Sequence, residues 1–223
     1  RQVVLDPVGV GASSFRKQTA EQLLKEVRFD AIRGNISEIK TLASLCGTQE
    51  KNSGNMAVSD TMDVEKITDK SDHCGKITGI DGSGRGVDAD NADTVTEENL
   101  AQHISNAKML SKKLQTIVAI TGAIDLVTDG SSCYVIRNGN PQMGHVTGAG
   151  CQLSGILTAF LAANPENKLQ AAAAAVCMMG YAGELAAEKS GQSGSGTYRV
   201  SLMDAVSCMD GDILERGARY EIR

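Results

Sequence analysis

Aromatic residues are scarce in this sequence, and tryptophan is absent. Only 3% of the 223 residues are Phe, Tyr or Trp. Single-stranded nucleic acids are commonly bound by stacking bases on aromatic side chains, and these platforms are missing here. Basic runs are missing as well, because Lys and Arg are scattered and the net charge is −5. The composition therefore predicts an aliphatic core and neither a nucleic acid nor an anionic membrane as partner.

Long hydrophobic runs are also missing. A membrane-spanning helix needs about 20 apolar residues in succession. One apolar stretch ends at Asn164 and Pro165, and the alanine-rich stretch that follows is broken by Gly180 and Gly183. The sequence shows no secretory signal pattern. We therefore expect a soluble protein of the cytoplasm.

The six cysteines form no C-x-x-C pair. In a chain of this length, which can bury an ample core, isolated cysteines are typical of reduced cytosolic thiols. A disulfide framework and a zinc site are therefore not expected. The length is that of one large α/β domain, and nothing in the composition demands a second.

Short apolar runs alternate with stretches of helical periodicity, which predicts a sheet covered by helices. Strands are predicted at 3–5, 29–33, 116–121, 125–129 and 134–138, the last two as an antiparallel edge. Helices are predicted at 19–27, 37–45, 150–163, 166–188 and 198–209, and another after a capping box at 94–97. The segment 47–85 is polar and rich in glycine, and we interpret it as an insertion.

Polar residues follow three of the predicted strands. Asp6 follows the first, Arg33 ends the second and Thr121 ends the third. Ligands of open α/β sheets bind beyond the carboxyl ends of the strands, so these residues are expected to share one site. Arg and Thr donate to phosphate oxygens, and Asp6 with Glu38 can hold Mg²⁺, mostly through water. The pattern predicts a phosphoryl-transfer site.

The segment HVTGAGCQLSGILTAF places small residues and a cysteine before a predicted helix. Backbone N–H groups and the positive end of a helix dipole favour an anion such as phosphate. Gly148, Ala149 and Gly150 leave the backbone accessible to it. The same field favours the thiolate form of Cys151, which makes this side chain a candidate proton acceptor.

Each of these residues also has a structural interpretation when it is taken singly. Asp6 can start a turn, and Glu38, three residues after Asn35, can complete a helix cap. An isolated cysteine such as Cys151 is more often a small core residue. The joint placement of the residues at one sheet edge favours the functional interpretation.

Four segments of the chain resemble those of hydroxyethylthiazole kinases, which are members of the ribokinase-like superfamily. They are DPVGVGAS (6–13), IRGNISEI (32–39), ITGAIDLVTDG (120–130) and VTGAGCQLSGILTAF (146–160). The resemblance implies a three-layer α/β/α ribokinase-like sheet that is mostly parallel with an antiparallel edge. It also implies ATP-dependent phosphorylation of 4-methyl-5-(2-hydroxyethyl)thiazole, a salvage step toward thiamine.

The resemblance further implies roles in binding the nucleotide and its metal. Arg33 and Thr121 match the ATP-binding Arg and Thr of the family. Asn35 and Glu38 match the N-x-x-E element that organises Mg²⁺ and phosphate, and Asp6 matches a metal-associated aspartate. These matches make ATP the co-substrate and Mg²⁺ the cofactor.

Roles at the acceptor side are implied in the same way. Gly148 matches a glycine that contacts the thiazole alcohol. The segment from Gly148 through Ala149 to Gly150 would form the anion hole for the transferred group. Cys151 stands where most ribokinase-like kinases carry an aspartate base and the thiazole kinases carry cysteine.

Two expectations concern the whole protein. The resemblance implies a homotrimer with shared active sites, and it suggests that an N-terminal portion of the family's sheet and acceptor pocket is absent from this chain. One alternative is therefore a non-catalytic nucleotide-binding remnant that acts as an assembly or sensing subunit. Another is a kinase for a different vitamin-precursor alcohol, such as a hydroxymethyl-pyrimidine or pyridoxal.

Overall fold

The computed structural model describes residues 1–48 and 94–223. The predicted insertion at 47–85 therefore lies almost wholly outside the described residues. The strands are β1 (Val4–Leu5), β2 (Ala31–Gly34), β3 (Ile117–Ile120), β4 (Asp125–Thr128), β5 (Cys133–Ile136) and β6 (Tyr220–Ile222). The helices are α1 (Ser14–Glu26), α2 (Ile36–Thr48), α3 (Leu100–Leu114), α4 (Ala149–Ala163), α5 (Lys168–Ser190), α6 (Ser195–Ser207) and α7 (Gly211–Gly217). A 3₁₀ turn, Pro141–His145, precedes α4.

The strands form one mixed sheet in the order β1-β2-β3-β4-β5-β6. β1, β2 and β3 are parallel, and each of β4, β5 and β6 is antiparallel to the strand before it. Four of the six strands, β1, β2, β3 and β5, thus run in one direction. The α/β class and the antiparallel pairing of β4 with β5 are confirmed. The antiparallel part extends one strand further than predicted, because β6 forms the outer edge.

Helices cover both faces of the sheet, as the central strand shows. All four residues of β3 are buried. Ile117 and Ala119 belong to a core formed with α4, α5 and α6, whereas Val118 and Ile120 belong to a core formed with α2 and α3. A strand that is buried on both faces reads as a continuous apolar run, which explains the sequence IVAI. The three-layer arrangement is therefore confirmed.

Helix α5 is the central helix of one layer. Among the helices of the described residues it is the one that is long and apolar enough to cross a membrane. Its apolar window is 67% buried against the rest of the chain, as in the core helix of a globular domain. Gly180 allows the close approach of the helix to Asn138, whose atoms would lie 2.7–2.8 Å from an added Cβ.

The predicted starts of two helices were wrong: no cap was recognised before α1, and the cap before α3 was misassigned. α1 begins at Ser14, where the Ser13 side chain accepts a hydrogen bond from the Arg16 N–H. α3 begins at Leu100 rather than at the predicted capping box. The Asn99 side chain orders the preceding turn through the Thr96 N–H instead. The short elements α7 and β6 were missed.

Candidate active site

The carboxyl ends of β1, β2 and β3 bring the predicted residues together. A terminal nitrogen of Arg33 donates to Thr121 Oγ1 at 2.8 Å, and the other lies 3.6 Å from Asp6 Oδ2. Thr121 also donates its backbone N–H to Gly34, which continues the parallel pairing of β2 with β3. The strand-end rule thus correctly placed three residues from three strands in one cluster, which we call the Arg33 cluster.

The Arg33 cluster leaves polar atoms without partners. The Arg33 and Asp6 side chains are only 14% and 16% exposed. Arg33 Nε and Asp6 Oδ1 are buried, yet neither makes a hydrogen bond within residues 1–48 and 94–223. Buried polar groups in folded proteins are nearly always paired, so these two atoms are the ones in the cluster that a ligand, an ion or water can pair.

The N-terminus of α4 opens onto the same cluster. Gly148 caps the helix with φ 90°, a left-handed conformation that favours glycine. The Ala149 N–H donates to Val146 O, and the Gln152 N–H donates to Gly148 O. The N–H groups of Gly150 and Cys151, which lie between them, have no acceptor in the part of the chain that is described. Of the predicted anion hole, Gly150 keeps an open N–H and Ala149 uses its N–H within the chain, while Cys151 adds a further open donor. The anion-binding role of the segment stays a prediction.

Gly150 is in contact with the Arg33 guanidinium. A Cβ on this residue would lie 2.7 Å and 3.0 Å from the two terminal nitrogens of Arg33. A side chain here would displace the guanidinium from its present position. The close approach places the open helix terminus beside the arginine, and both can act on one anion.

Asn35 and Glu38 form a reciprocal helix cap. Asn35 Oδ1 accepts the Glu38 N–H at 2.8 Å, and Glu38 Oε2 accepts the Asn35 N–H at 2.9 Å. Glu38 Oε1 accepts the Gly9 N–H at 2.8 Å, which ties the loop after β1 to α2. The structural interpretation of this pair is confirmed, because both carboxylate oxygens accept backbone donors. The metal role of Glu38 stays a prediction.

Asp6 is the residue that best fits a divalent cation. Its Oδ1 atom is buried and unpaired, and such an oxygen suits Mg²⁺. Within the described ranges, no three His, Cys, Asp or Glu side chains are grouped to hold a metal ion. The site therefore fits an ion that takes its other ligands from phosphate and water, which is the usual habit of Mg²⁺.

Cys151 is exposed in the first turn of α4. The alternative in which it is a small core residue is therefore wrong. Ala149, two residues earlier in the same turn, donates its N–H to Val146 O, whereas the Cys151 N–H has no acceptor among the described residues. The thiol is accessible to a substrate bound at the helix terminus.

Two polar residues of this region were missed. The Ser154 hydroxyl, one turn after Gly150, donates to Asp6 Oδ2 at 2.6 Å. Asp125, the first residue of β4, is buried, and its Oδ1 accepts the Gly122 N–H at 2.8 Å. The available signals were a hydroxyl four residues after Gly150 in a helix and an acid that opens an otherwise apolar strand.

Comparisons with known proteins identify the family of the chain. The model of the hydroxyethylthiazole kinase family matches residues 1–73 and 60–212. The hydroxyethylthiazole kinase of Clostridium acetobutylicum is 44% identical over 98% of this chain and 68% of its own length. That of Desulfovibrio desulfuricans is 36% identical over 100% of this chain and 68% of its own length.

A solved structure shows the same fold. It is that of the hydroxyethylthiazole kinase protein from Pyrococcus horikoshii OT3, with a TM-score of 0.70 and 24% identity. The match covers 100% of this chain and 65% of that one. This chain thus spans about two thirds of the length of these relatives. The family model and the sequence identities confirm the resemblance seen in the four segments: the chain belongs to the hydroxyethylthiazole kinase family.

Proposed function

We propose that this chain transfers the γ-phosphate of ATP to the hydroxyl of 4-methyl-5-(2-hydroxyethyl)thiazole, a salvage step toward thiamine. One observation carries the proposal: the open N–H groups of the α4 N-terminus lie beside the Arg33 guanidinium, whose terminal nitrogens contact Gly150. Phosphoryl transfer depends mainly on positioning and on stabilising charge, which such donors supply. Family membership supports the reaction and the acceptor.

The nucleotide is held by groups that the chain already orients. Thr121 fixes one terminal nitrogen of Arg33, which leaves its Nε atom for a phosphate oxygen. The N–H groups of Gly150 and Cys151 donate to the transferred phosphoryl group. Asp6 would hold Mg²⁺, which neutralises phosphate charge when bound. Ser154 donates to Asp6 Oδ2, which would leave Oδ1 available to the ion.

The acceptor alcohol approaches from the side of Gly148 and Cys151. Gly148 has no side chain, and its left-handed backbone leaves space for the alcohol. In its thiolate form, Cys151 accepts the hydroxyl proton as the bond from the alcohol oxygen to the γ-phosphorus forms and the bond from that phosphorus to ADP breaks. A loose transition state requires only modest help from this base. We also propose that the enzyme is cytoplasmic, as its isolated cysteines indicate, and a homotrimer, as the family resemblance implies.

Release of ADP tests the proposal. The purified chain is incubated with Mg·ATP and with hydroxyethylthiazole, hydroxymethyl-pyrimidine, pyridoxal or no acceptor. We expect turnover that depends on the thiazole. Turnover with another alcohol would contradict the acceptor, and ATP binding without any turnover would favour the non-catalytic nucleotide-binding remnant.

A further inference from the structure

Asp125 is a buried carboxyl that the proposed reaction leaves without a role. It is 8% exposed and opens β4, directly after the turn 121–124 that leads out of β3. Its Oδ1 atom accepts the Gly122 N–H at 2.8 Å, so the side chain closes this turn. The turn begins with Thr121, the residue that holds Arg33. Asp125 thus supports one of the contacts that orient the guanidinium.

The sheet register places Asp125 on the same face as Arg33. Arg33 pairs with Ala119, and Ala119 pairs with Val127. Paired residues point to the same face, and so do residues two positions apart along a strand. Thr121 lies two positions after Ala119, and Asp125 lies two positions before Val127. Arg33, Thr121 and Asp125 therefore share the face that α4 and α5 cover.

The charge of Asp125 has one counterpart nearby. Burial raises the pKa of Asp125 to about 7, while the Gly122 hydrogen bond and the positive charge of Arg33 lower it. Cys177 of α5 also faces this carboxyl. Burial and the Asp125 charge raise the pKa of Cys177 to about 12, so this thiol is neutral near pH 7. Among the described residues, Arg33 is therefore the charged group that affects the pKa of Asp125.

We propose that Asp125 is a positioning residue for the nucleotide: it holds the turn that carries Thr121, and it places a carboxyl group on the sheet face that carries Arg33. The proposal rests on the nucleotide site of the proposed function, but it requires ATP binding rather than turnover. Phosphates that bind Arg33 bring negative charge toward the carboxyl and disfavour its ionised form. ATP binding therefore takes up a proton at Asp125, and affinity falls as the pH rises through about 7.

The test compares the affinity for ATP of the wild type and Asp125→Asn by calorimetry between pH 6 and 8.5, at saturating Mg²⁺. The asparagine oxygen can still accept the Gly122 N–H, so the turn keeps its closure, but the charge is gone. We expect equal affinities at pH 6 and about tenfold tighter binding by Asp125→Asn at pH 8.5, which corresponds to a change of about one pKa unit on binding. A residue with a purely structural role would not change this pH dependence.

Asp129→Asn is the matched control. It makes the same change just beyond the other end of β4, where Asp129 is exposed and accepts hydrogen bonds from Ser131 and Ser132. This variant should keep the wild-type pH profile. Proton uptake on ATP binding, measured in two buffers of different ionisation enthalpy, gives a second readout that needs only wild type and Asp129→Asn.

Each outcome decides the proposal. Identical pH profiles of wild type and Asp125→Asn, or no proton uptake by the wild type between pH 6.5 and 8, would overturn it. If ATP binds with the expected pH dependence but the thiazole is not phosphorylated, the role of Asp125 stands and the proposed acceptor is wrong. Thiazole turnover without the pH difference would overturn the role of Asp125 alone, and absence of ATP binding would overturn both.

Discussion

Two clusters at the same end of the sheet each join an arginine to a carboxylate, and they differ in completeness. In the first cluster, the two terminal nitrogens of Arg219 donate hydrogen bonds to the Glu184 carboxylate, at 2.7 Å and 2.8 Å. It also accepts the Gly139 N–H and the Asn138 amide. This closed network fastens α5 to the end of β5 and to the chain after α7.

The Arg33 cluster is the open counterpart of this network. Three buried side-chain atoms in the described ranges lack a hydrogen-bond partner, and two of them are Arg33 Nε and Asp6 Oδ1. The third, Gln142 Oε1, lies in the 3₁₀ turn that leads toward Gly148. The contrast teaches that an arginine–carboxylate pair stabilises the fold when its donors and acceptors are used within the chain. Where some of them are left over, as in the Arg33 cluster, we propose that they are used by a ligand.

The largest effect on the open cluster is expected from Gly150→Val. The new side chain would displace the Arg33 guanidinium and cover the N–H groups of the α4 terminus. We expect kcat/KM for ATP to fall on the order of 10²- to 10³-fold, as when an anion-binding donor is lost. Gly155→Val is the control, since a Cβ there meets nothing within 4 Å. Equal kinetics of the two variants would contradict the contact.

Removing one partner from each cluster should separate binding from stability. Arg33→Ala should weaken ATP binding about 10- to 100-fold, the loss of a charged hydrogen bond, with little change in unfolding. Glu184→Ala leaves the Gly139 N–H and the Asn138 amide unpaired. It should lower the free energy of unfolding by about 1–3 kcal/mol without changing the affinity for ATP. Calorimetry and urea titration measure both quantities, and the reverse result would invalidate the comparison.

Substitution of Cys151 should slow turnover without abolishing it. A general base raises the rate of a reaction by about 10²- to 10⁴-fold. Because the transition state of phosphoryl transfer is loose, we expect an effect at the low end of this range. We expect a loss of about 10²-fold in Cys151→Ala and an active enzyme in Cys151→Asp. Cys208→Ala, at another exposed thiol, serves as the control. An inactive Asp variant that still binds ATP would count against the base role.

The buried carboxyl of Asp125 should give stability a pH dependence. Its pKa in the folded state, about 7, is above the ordinary value of 3.8. Between these values the folded state holds a proton that the unfolded state releases, so stability falls as the pH rises. The slope is up to about 1.4 kcal/mol per pH unit. Asp125→Asn should lose this component in urea titrations from pH 4 to 8, and unchanged slopes would contradict the shift.

The smallest effect is expected from Ser154→Ala. It removes the 2.6 Å hydrogen bond that holds Asp6 Oδ2. Loss of one neutral donor to a carboxylate should reduce kcat/KM about 3- to 10-fold and raise the concentration of Mg²⁺ that is required. Thr158→Ala is the control. It removes a hydroxyl in the next turn of α4, which donates to the backbone oxygen of Ser154 and makes no hydrogen bond to Asp6 among the described residues. If both variants need the same Mg²⁺ concentration, Ser154 does not orient Asp6.

The sequence predicted the Arg33 cluster because the carboxyl ends of parallel strands lie at the same edge of a sheet, where ligands of open α/β sheets bind. It could not decide between the two roles of Glu38, since one of its partners, the Gly9 N–H, is 29 residues away. Ser154 was missed for the same reason, because 148 residues separate it from Asp6. No local pattern contains such contacts.

The chain after α6 was missed for a different reason. β6 has the sequence YEI, and its two apolar residues are exposed, Tyr220 by 53% and Ile222 by 56%. Three residues are too few for their alternation to indicate a strand, and the strand contains no buried run. Its position is set by pairing with β5 and by the Glu184 contacts to Arg219, which a sequence pattern does not contain.

Backbone amide chemical shifts give the most direct test of the difference between the open and closed clusters. Mg·ATP is titrated into the ¹⁵N-labelled chain, and the N–H resonances of Gly150, Cys151 and Gly139 are followed. We expect large shifts at Gly150 and Cys151, whose donors are open, and almost none at Gly139, whose N–H already bonds to Glu184. Saturating nucleotide that leaves Gly150 and Cys151 unmoved would contradict the assignment of the α4 terminus and Arg33 as the phosphate site.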